Sequence, residues 1–183
     1  MRTKYPLTAS RLTPSSCALC SRLLLMLCLA TTGFAATATE SRREAEYYVA
    51  AYARHYRLPV EFVRAIVEQE SAWQRCPVSR KGAMGLMQLM PGTAARLSVR
   101  DRCDLNQNIS GGVRYLAWLK TRFHGDLRLV AAAYYVGERT IDKRGLSYSN
   151  SDVVSYVASV RERFERQRKV SGVGPEPSFR RRR

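Results

Sequence analysis

The residue best suited to acid–base chemistry is Glu70, which falls on the apolar face of a predicted helix. At about 100° per residue, a helix that begins near Pro59 places Glu70 in the same stripe as Phe62 and Ile66. A carboxyl group among apolar side chains is partly desolvated, and a helix C-terminus also disfavours its charged form. Both effects raise the pKa, and a glutamic acid that is protonated near neutral pH can act as a general acid.

Other interpretations of the residues around Glu70 stay open. The carboxyl group could instead be neutralised in a buried ion pair with Arg75 or Arg80. Trp73 offers either an apolar ring on which a sugar can stack or a core side chain. Residues 71–100 contain no acid, so a second catalytic carboxylate has to come from Asp101, Asp104, Asp126 or Glu138. The sequence gives no local support for hydrolysis by a carboxylate pair, whereas a single acid that later serves as base permits transglycosylation.

Three ordered motifs connect Glu70 to the rest of the chain. They are ESAW at 70–73, GAMGLMQLMP at 82–91 and AAY at 132–134. Together they resemble the catalytic domain of the soluble lytic transglycosylases, which has a lysozyme-like fold related to goose-type lysozyme. The resemblance covers about residues 47–166. It implies a lysozyme-like fold and cleavage of peptidoglycan glycan strands between N-acetylmuramic acid and N-acetylglucosamine, with an anhydro-muramoyl end as product.

The resemblance also assigns roles to individual residues. It implies that Glu70 is the single catalytic residue, first as acid and then as base, with no cofactor and no metal. It places the side chains of Ser71, Met87, Gln88 and Tyr134 along the glycan groove.

The third motif departs from the family at Tyr135, where the family usually has asparagine. A phenol there replaces one amide contact to the sugar; Tyr135 either binds substrate through its hydroxyl or packs in the helix core. This departure leaves open a peptidoglycan-binding protein without activity. The nearest enzymatic alternative is a goose-type muramidase that hydrolyses to a reducing end.

The first 38 residues have the order of a secretory signal peptide: a basic segment without acids, the apolar run Leu23–Ala30, and small residues ending at Ala38. The uncharged stretch is short for a bilayer span, so we expect no stable membrane span after cleavage and a periplasmic or secreted protein.

Loss of the leader leaves two cysteines, Cys76 and Cys103. An even pair in an exported domain predicts one disulfide, with free or metal-binding thiols as the alternative. The resemblance implies that this disulfide pins the loop that follows Glu70.

The elements that must position these residues are helical. Apolar spacing predicts helices at about 41–57, 59–73, 93–97, 106–123, 127–136 and 152–168, and no segment shows the alternation typical of a sheet. We therefore expect an all-α fold with one catalytic domain at 39–169. Residues 170–183, which contain Gly, Pro and four closing arginines, predict a disordered basic tail.

Composition and charge limit the function classes. Of 183 residues, 45% are apolar and 25% charged, which excludes collagen-like and multi-span membrane proteins. The net charge of +16 favours contact with anionic polymers. We expect no nucleic acid partner, because the chain carries a predicted signal peptide and lacks helix-turn-helix and zinc-finger patterns. Small size and the basic tail suggest a hypothesis of work beside an envelope-spanning secretion or conjugation machine.

Overall fold

The computed structural model describes residues 39–174 and 179, so the predicted signal peptide at 1–38 lies outside the described residues. The chain divides into two units, 1–40 and 41–183, and the first contributes only helical residues 39 and 40 to the described part. Residues 41–174 contain no strand, only isolated bridges from Met84 to Val78 and to Leu89. The predicted all-α fold is confirmed.

The helices lie close to the predicted segments, with one addition. Within the described residues they are α1 at 39–55, α2 at Val60–Ser71, α3 at Pro91–Arg96, α4 at Leu105–Arg122, α5 at Leu127–Val136, α6 at Glu138–Arg144 and α7 at Ser151–Val170, with a 3₁₀ turn at Gly145–Ser147. Helix α6 was not predicted. None of the helices in 39–174 has the length and hydropathy needed to cross a bilayer.

Helix α2 lies in the core because one of its faces is apolar from Phe62 to Val67. Phe62, Val63, Ile66 and Val67 have no exposed surface. Pro59 precedes the helix with φ −58°, a conformation that suits the start of a helix, and Ala72 ends it in the left-handed region at φ 49°. The helix packs against α7, which in turn packs against α5, while α5 also contacts α4 and α6. This arrangement brings the end of α2 beside α5 and α7.

One residue of the predicted disordered tail, Phe179, is buried in the structure. Its side chain is 4% exposed and packs against Phe62 and Phe164, with ring centroids 6.0 and 5.3 Å away. A phenylalanine buries enough apolar surface to hold a short segment on the core, and composition alone did not show this. Residues 175–178 and 180–183 lie outside the described residues, and for them the tail stays a prediction.

Candidate active site

Glu70 lies in the last turn of α2 and is partly buried. Desolvation by burial raises the pKa of its carboxyl group from the usual 4.5 to about 7, although a hydrogen bond from Tyr156 lowers it. The Tyr156 hydroxyl, on α7, donates to Oε1 of Glu70 at 2.5 Å. Neither Arg75 nor Arg80 forms an ion pair with this carboxyl group, so the interpretation as a structural ion pair is wrong.

The four other carboxylates that could have joined Glu70 are occupied elsewhere. Asp104 and Asp126 cap α4 and α5 by accepting from backbone N–H groups. Asp101 accepts from a backbone N–H two residues on. Glu138 accepts from a tyrosine hydroxyl at 2.9 Å and pairs with an arginine at 3.3 Å. No carboxyl group of the described residues contributes to the pKa of Glu70, so its environment contains a single acid.

Glu138 has several hydrogen-bond donors around its carboxyl group, and its pKa is lowered where that of Glu70 is raised. Burial alone raises its pKa, but hydrogen bonds from its own backbone N–H, Tyr115 and Arg96 outweigh this effect, and the pKa is lowered. Glu138 is therefore ionised at neutral pH and cannot donate a proton. Of these two carboxyl groups, only Glu70 has a raised pKa.

The loop at 82–91 is held by the buried amide of Asn108. Its Oδ1 accepts from the N–H of Met87 at 2.8 Å, and its Nδ2 donates to the carbonyls of Met84 and Arg102 at 3.1 and 2.8 Å. Gly85 lets this network close, because its φ is +84° and a Cβ there would lie 2.1 Å from the carbonyl oxygen of Arg102. These contacts tie the backbone of the loop to α4.

The predicted disulfide is present and reinforces this loop. Cys76 and Cys103 are bonded across a separation of 27 residues, with their Cα atoms 5.1 Å apart. The bond joins the segment after α2 to the segment before α4, so it constrains both ends of the motif at 82–91.

Gln88 belongs to this loop, and its side-chain amide is held there through the nitrogen atom. Its backbone has a φ of 48°, and its Nε2 donates to the carbonyls of Pro77 and Gly85 at 2.9 and 3.0 Å. Both donor hydrogens are therefore used to hold the side chain in place. The amide oxygen has no donor among the described residues, which leaves it free to accept from a ligand.

Tyr134 joins α5 to the same loop. Its hydroxyl donates to the carbonyl of Met87 at 2.7 Å, and its ring lies 5.6 Å from that of Tyr115. Burial, followed by the nearby charge of Glu70, raises the pKa of Tyr134 well above 10, so the phenol stays protonated. The ring is partly buried and lies between α4 and the loop.

Ser71 and Met87 lie deeper than the resemblance implied. The Ser71 hydroxyl donates to the carbonyl of Val67 and accepts from the N–H of Trp73, both at 3.1 Å, and the side chain is buried. The Met87 side chain has no exposed surface and packs closely on Gly112. Both side chains are therefore buried, and their contact with a glycan stays a prediction.

The two aromatic residues whose placement the sequence left open have opposite environments. Trp73 is buried in the core with the guanidinium of Arg42 4.6 Å from its ring centroid, so its ring is no platform for a sugar. Tyr135 is 47% exposed and stacks on Tyr156, with centroids 4.6 Å apart and ring planes at 24°. Tyr135 therefore lies at the surface of the site and not in the helix core.

The sequence predicted no role for two residues that shape this site. Tyr156 is the hydrogen-bond partner of Glu70 and Asn108 is the anchor of the loop. Tyr156 is separated from Glu70 by 86 residues, so no local pattern joins them. The described residues include no group of three His, Cys, Asp or Glu side chains placed to hold a metal ion.

Two solved structures share this arrangement of helices. The lytic transglycosylase Slt of Pseudomonas aeruginosa matches with a TM-score of 0.66 and 24% identity, over 74% of this chain and 25% of that chain. The 70 kDa soluble lytic transglycosylase of Escherichia coli matches with a TM-score of 0.64 and 28% identity, over 69% of this chain and 24% of that chain. These matches confirm the predicted lysozyme-like, all-α fold.

The chain is also similar in sequence to proteins named as transglycosylases. The membrane-bound lytic murein transglycosylase F of Pseudomonas fluorescens is 35% identical over 103 residues, or 53% of this chain and 21% of the relative. The transglycosylase of Enterobacteria phage PRD1 is 39% identical over 89 residues, or 49% of this chain and 33% of the relative. The matched part thus spans a fifth to a third of these relatives. The family described as the Transglycosylase SLT domain matches residues 47–154, and the chain belongs to that family.

Proposed function

We propose that this protein is a lytic transglycosylase that cleaves the bond between N-acetylmuramic acid and N-acetylglucosamine in peptidoglycan, with Glu70 as general acid and then base. The observation that carries the proposal is the environment of Glu70, which combines burial and a pKa of about 7 with no contribution to that pKa from another carboxyl group of the described residues. Family membership supplies the substrate class.

The first step requires Glu70 in its protonated form. At neutral pH a carboxyl group with a pKa of about 7 is protonated in a large fraction of molecules, whereas one at 4.5 is almost fully ionised. The carboxyl proton passes to the glycosidic oxygen, the bond from that oxygen to the muramoyl anomeric carbon breaks, and the N-acetylglucosamine end leaves as an alcohol. Glu70 is then a carboxylate.

The second step uses that carboxylate as a base. It takes the proton from a hydroxyl of the same muramoyl residue, and the hydroxyl oxygen bonds to the anomeric carbon to close the anhydro ring. Glu70 returns to its acid form, and no water is consumed. The hydrogen bond from Tyr156 stabilises the charged form between the two steps, and it keeps the pKa from rising further with burial.

The groove residues are proposed to hold the glycan around this acid. Gln88 offers the amide oxygen that the loop leaves free, and Tyr134 offers a partly buried ring beside the same loop. Tyr135 offers an exposed aromatic face. Ser71 and Met87 complete the proposed set of glycan-lining residues; their buried side chains support the groove walls.

Product analysis tests this proposal. Purified peptidoglycan is incubated with the wild-type protein, with Glu70→Gln and with Glu61→Gln, a matched control in the first turn of α2, and the soluble fragments are identified by mass spectrometry. We expect anhydro-muramoyl fragments from the wild type and the Glu61 variant. We expect none from a folded Glu70 variant.

Other outcomes would identify the alternatives. Reducing-end fragments would make the protein a goose-type hydrolase. Retention on insoluble cell wall without any fragments would make it a binding protein in which the substitution at Tyr135 has removed activity. Either result contradicts the proposal.

We further propose that the protein is exported to the periplasm or secreted, and that it acts beside an envelope-spanning secretion or conjugation machine. Export is supported by the order of residues in the leader and by the disulfide between Cys76 and Cys103. Deletion of the gene should impair assembly of one such machine. Normal assembly of every envelope-spanning machine would contradict that role.

A further inference from the structure

Tyr135 is linked to Glu70 through one intermediate side chain. Tyr135 lies at the C-terminal end of α5, Tyr156 on α7 and Glu70 at the end of α2. The ring of Tyr135 stacks on the ring of Tyr156, and the hydroxyl of Tyr156 donates to Glu70. The three side chains therefore form a continuous contact across three helices.

We propose that Tyr135 is a positioning residue that acts through Tyr156: its ring covers the Tyr156 ring and holds the Tyr156 hydroxyl on Oε1 of Glu70. The proposal rests on the proposed function, because it concerns the acid of that reaction. It also gives a use to the phenol ring at the position where the third motif departs from its usual asparagine. An asparagine amide is too small to cover an aromatic ring in this way.

The burial of the two rings supports this role. Tyr156 is 7% exposed and Tyr135 is 47% exposed, so Tyr135 is the outer layer that separates Tyr156 from solvent. Without that layer one face of the Tyr156 ring is open to water, and the ring has room to rotate about its side-chain bonds. A rotated ring no longer directs its hydroxyl at Glu70.

Loss of the Tyr135 ring should change the pH at which Glu70 loses its proton. The groups that face its carboxyl are Tyr156 from α7 and Tyr134 from α5, while Glu68, on α2 itself, pairs with arginines of α7. Of these, the Tyr156 hydroxyl stabilises the charged form. Loss of the Tyr135 ring should weaken that hydrogen bond, and Glu70 should then stay protonated to higher pH.

A direct titration tests the proposal without any turnover. The carboxyl carbon of Glu70 is followed by ¹³C NMR against pH in the full protein, with Glu70→Gln to identify its signal. We expect Tyr135→Ala to raise the midpoint by about 0.5 to 1 pH unit, about three- to tenfold in the dissociation constant. Tyr135→Phe keeps the ring and should titrate like the wild type.

Three further variants complete the set. Tyr156→Phe removes the hydroxyl itself and sets the largest upward shift to be expected. Tyr135→Asn introduces the amide that is too small to cover the Tyr156 ring, and it replaces the alanine variant if that one fails to fold. Tyr47→Ala removes an exposed tyrosine from α1 and should leave the midpoint unchanged.

The proposal is overturned if Tyr135→Ala or Tyr135→Asn titrates like the wild type while Tyr156→Phe shifts, or if Tyr135→Phe shifts as much as the alanine variant. If the protein cleaves peptidoglycan, the kcat of the alanine variant should fall at a higher pH than the kcat of the wild type. A role limited to sugar contact would instead raise KM at every pH. If the protein cleaves nothing, the proposed function fails, but the titration still decides the role of Tyr135.

Discussion

Replacement of Glu70 by glutamine should stabilise the protein above pH 7 while it abolishes cleavage. The folded protein raises the pKa of Glu70 from 4.5 to about 7, so the folded state holds a proton that the unfolded chain has already released in that range. The stability linked to this proton is fully present below pH 4.5 and is lost as the pH rises to about 7. Glutamine is uncharged at every pH and can still accept from the Tyr156 hydroxyl.

The magnitude follows from the two pKa values. A shift from 4.5 to about 7 corresponds to up to about 3 kcal/mol at pH values well above 7. A domain of this size is stable by about 5–15 kcal/mol, so the change is readily measured. The free energy of unfolding of the wild type, relative to Glu70→Gln, should therefore fall by about 3 kcal/mol between pH 4.5 and 8.

Urea denaturation of both proteins at several pH values, with the disulfide intact, measures this difference. All other titrating groups are common to the two proteins, so their contributions cancel in the comparison. Glu61→Gln, the same replacement in the first turn of α2, serves as the control for the loss of a carboxyl group from this helix. A difference between the wild type and Glu70→Gln that does not change with pH would refute the argument that burial keeps Glu70 protonated.

Further predictions concern the loop beside the acid. Gly85→Ala should destabilise the protein by about 2 kcal/mol more than Gly82→Ala, since both glycines have positive φ but only at Gly85 does a Cβ meet neighbouring atoms; equal melting temperatures would contradict this. Asn108→Ala should lower the free energy of unfolding by about 2–4 kcal/mol, because it leaves buried backbone groups without partners. Urea denaturation should show this loss, and a change below about 1 kcal/mol would contradict the argument that Asn108 holds the loop. Replacing Cys76 and Cys103 by serine should cost about 2–4 kcal/mol by the same measurement, and an unchanged midpoint would show that the bond does not constrain the fold.

The helices that position the site could be predicted because their signals are local. Helix α5 has the predicted bounds Leu127–Val136, and Asp126 caps it by accepting from the N–H of Arg128, as its position before an apolar run indicates. Helix α6 was missed because it has seven residues and buries only Ile141. So short a helix is stabilised mainly by packing against α5, and the sequence pattern does not report that contact.

The site could be predicted in part. The apolar face of α2 was enough to show that Glu70 is desolvated, because burial depends on the periodicity of one helix. The contacts of Tyr156 and Tyr135 with this acid depend on how α2, α5 and α7 pack, and residues 86 positions apart share no local pattern. Trp73 was ambiguous for a related reason, since a tryptophan just after a helix end can face the core or the groove.

The most direct test of the central claim is to run the reaction in ¹⁸O-labelled water and weigh the new glycan ends. If Glu70 acts alone as acid and then base, the internal hydroxyl closes the ring, and the muramoyl ends should carry no ¹⁸O and should be lighter than reducing ends by one water. Reducing ends that contain one ¹⁸O atom would show that water is the nucleophile, and the single-carboxyl account of this site would be wrong.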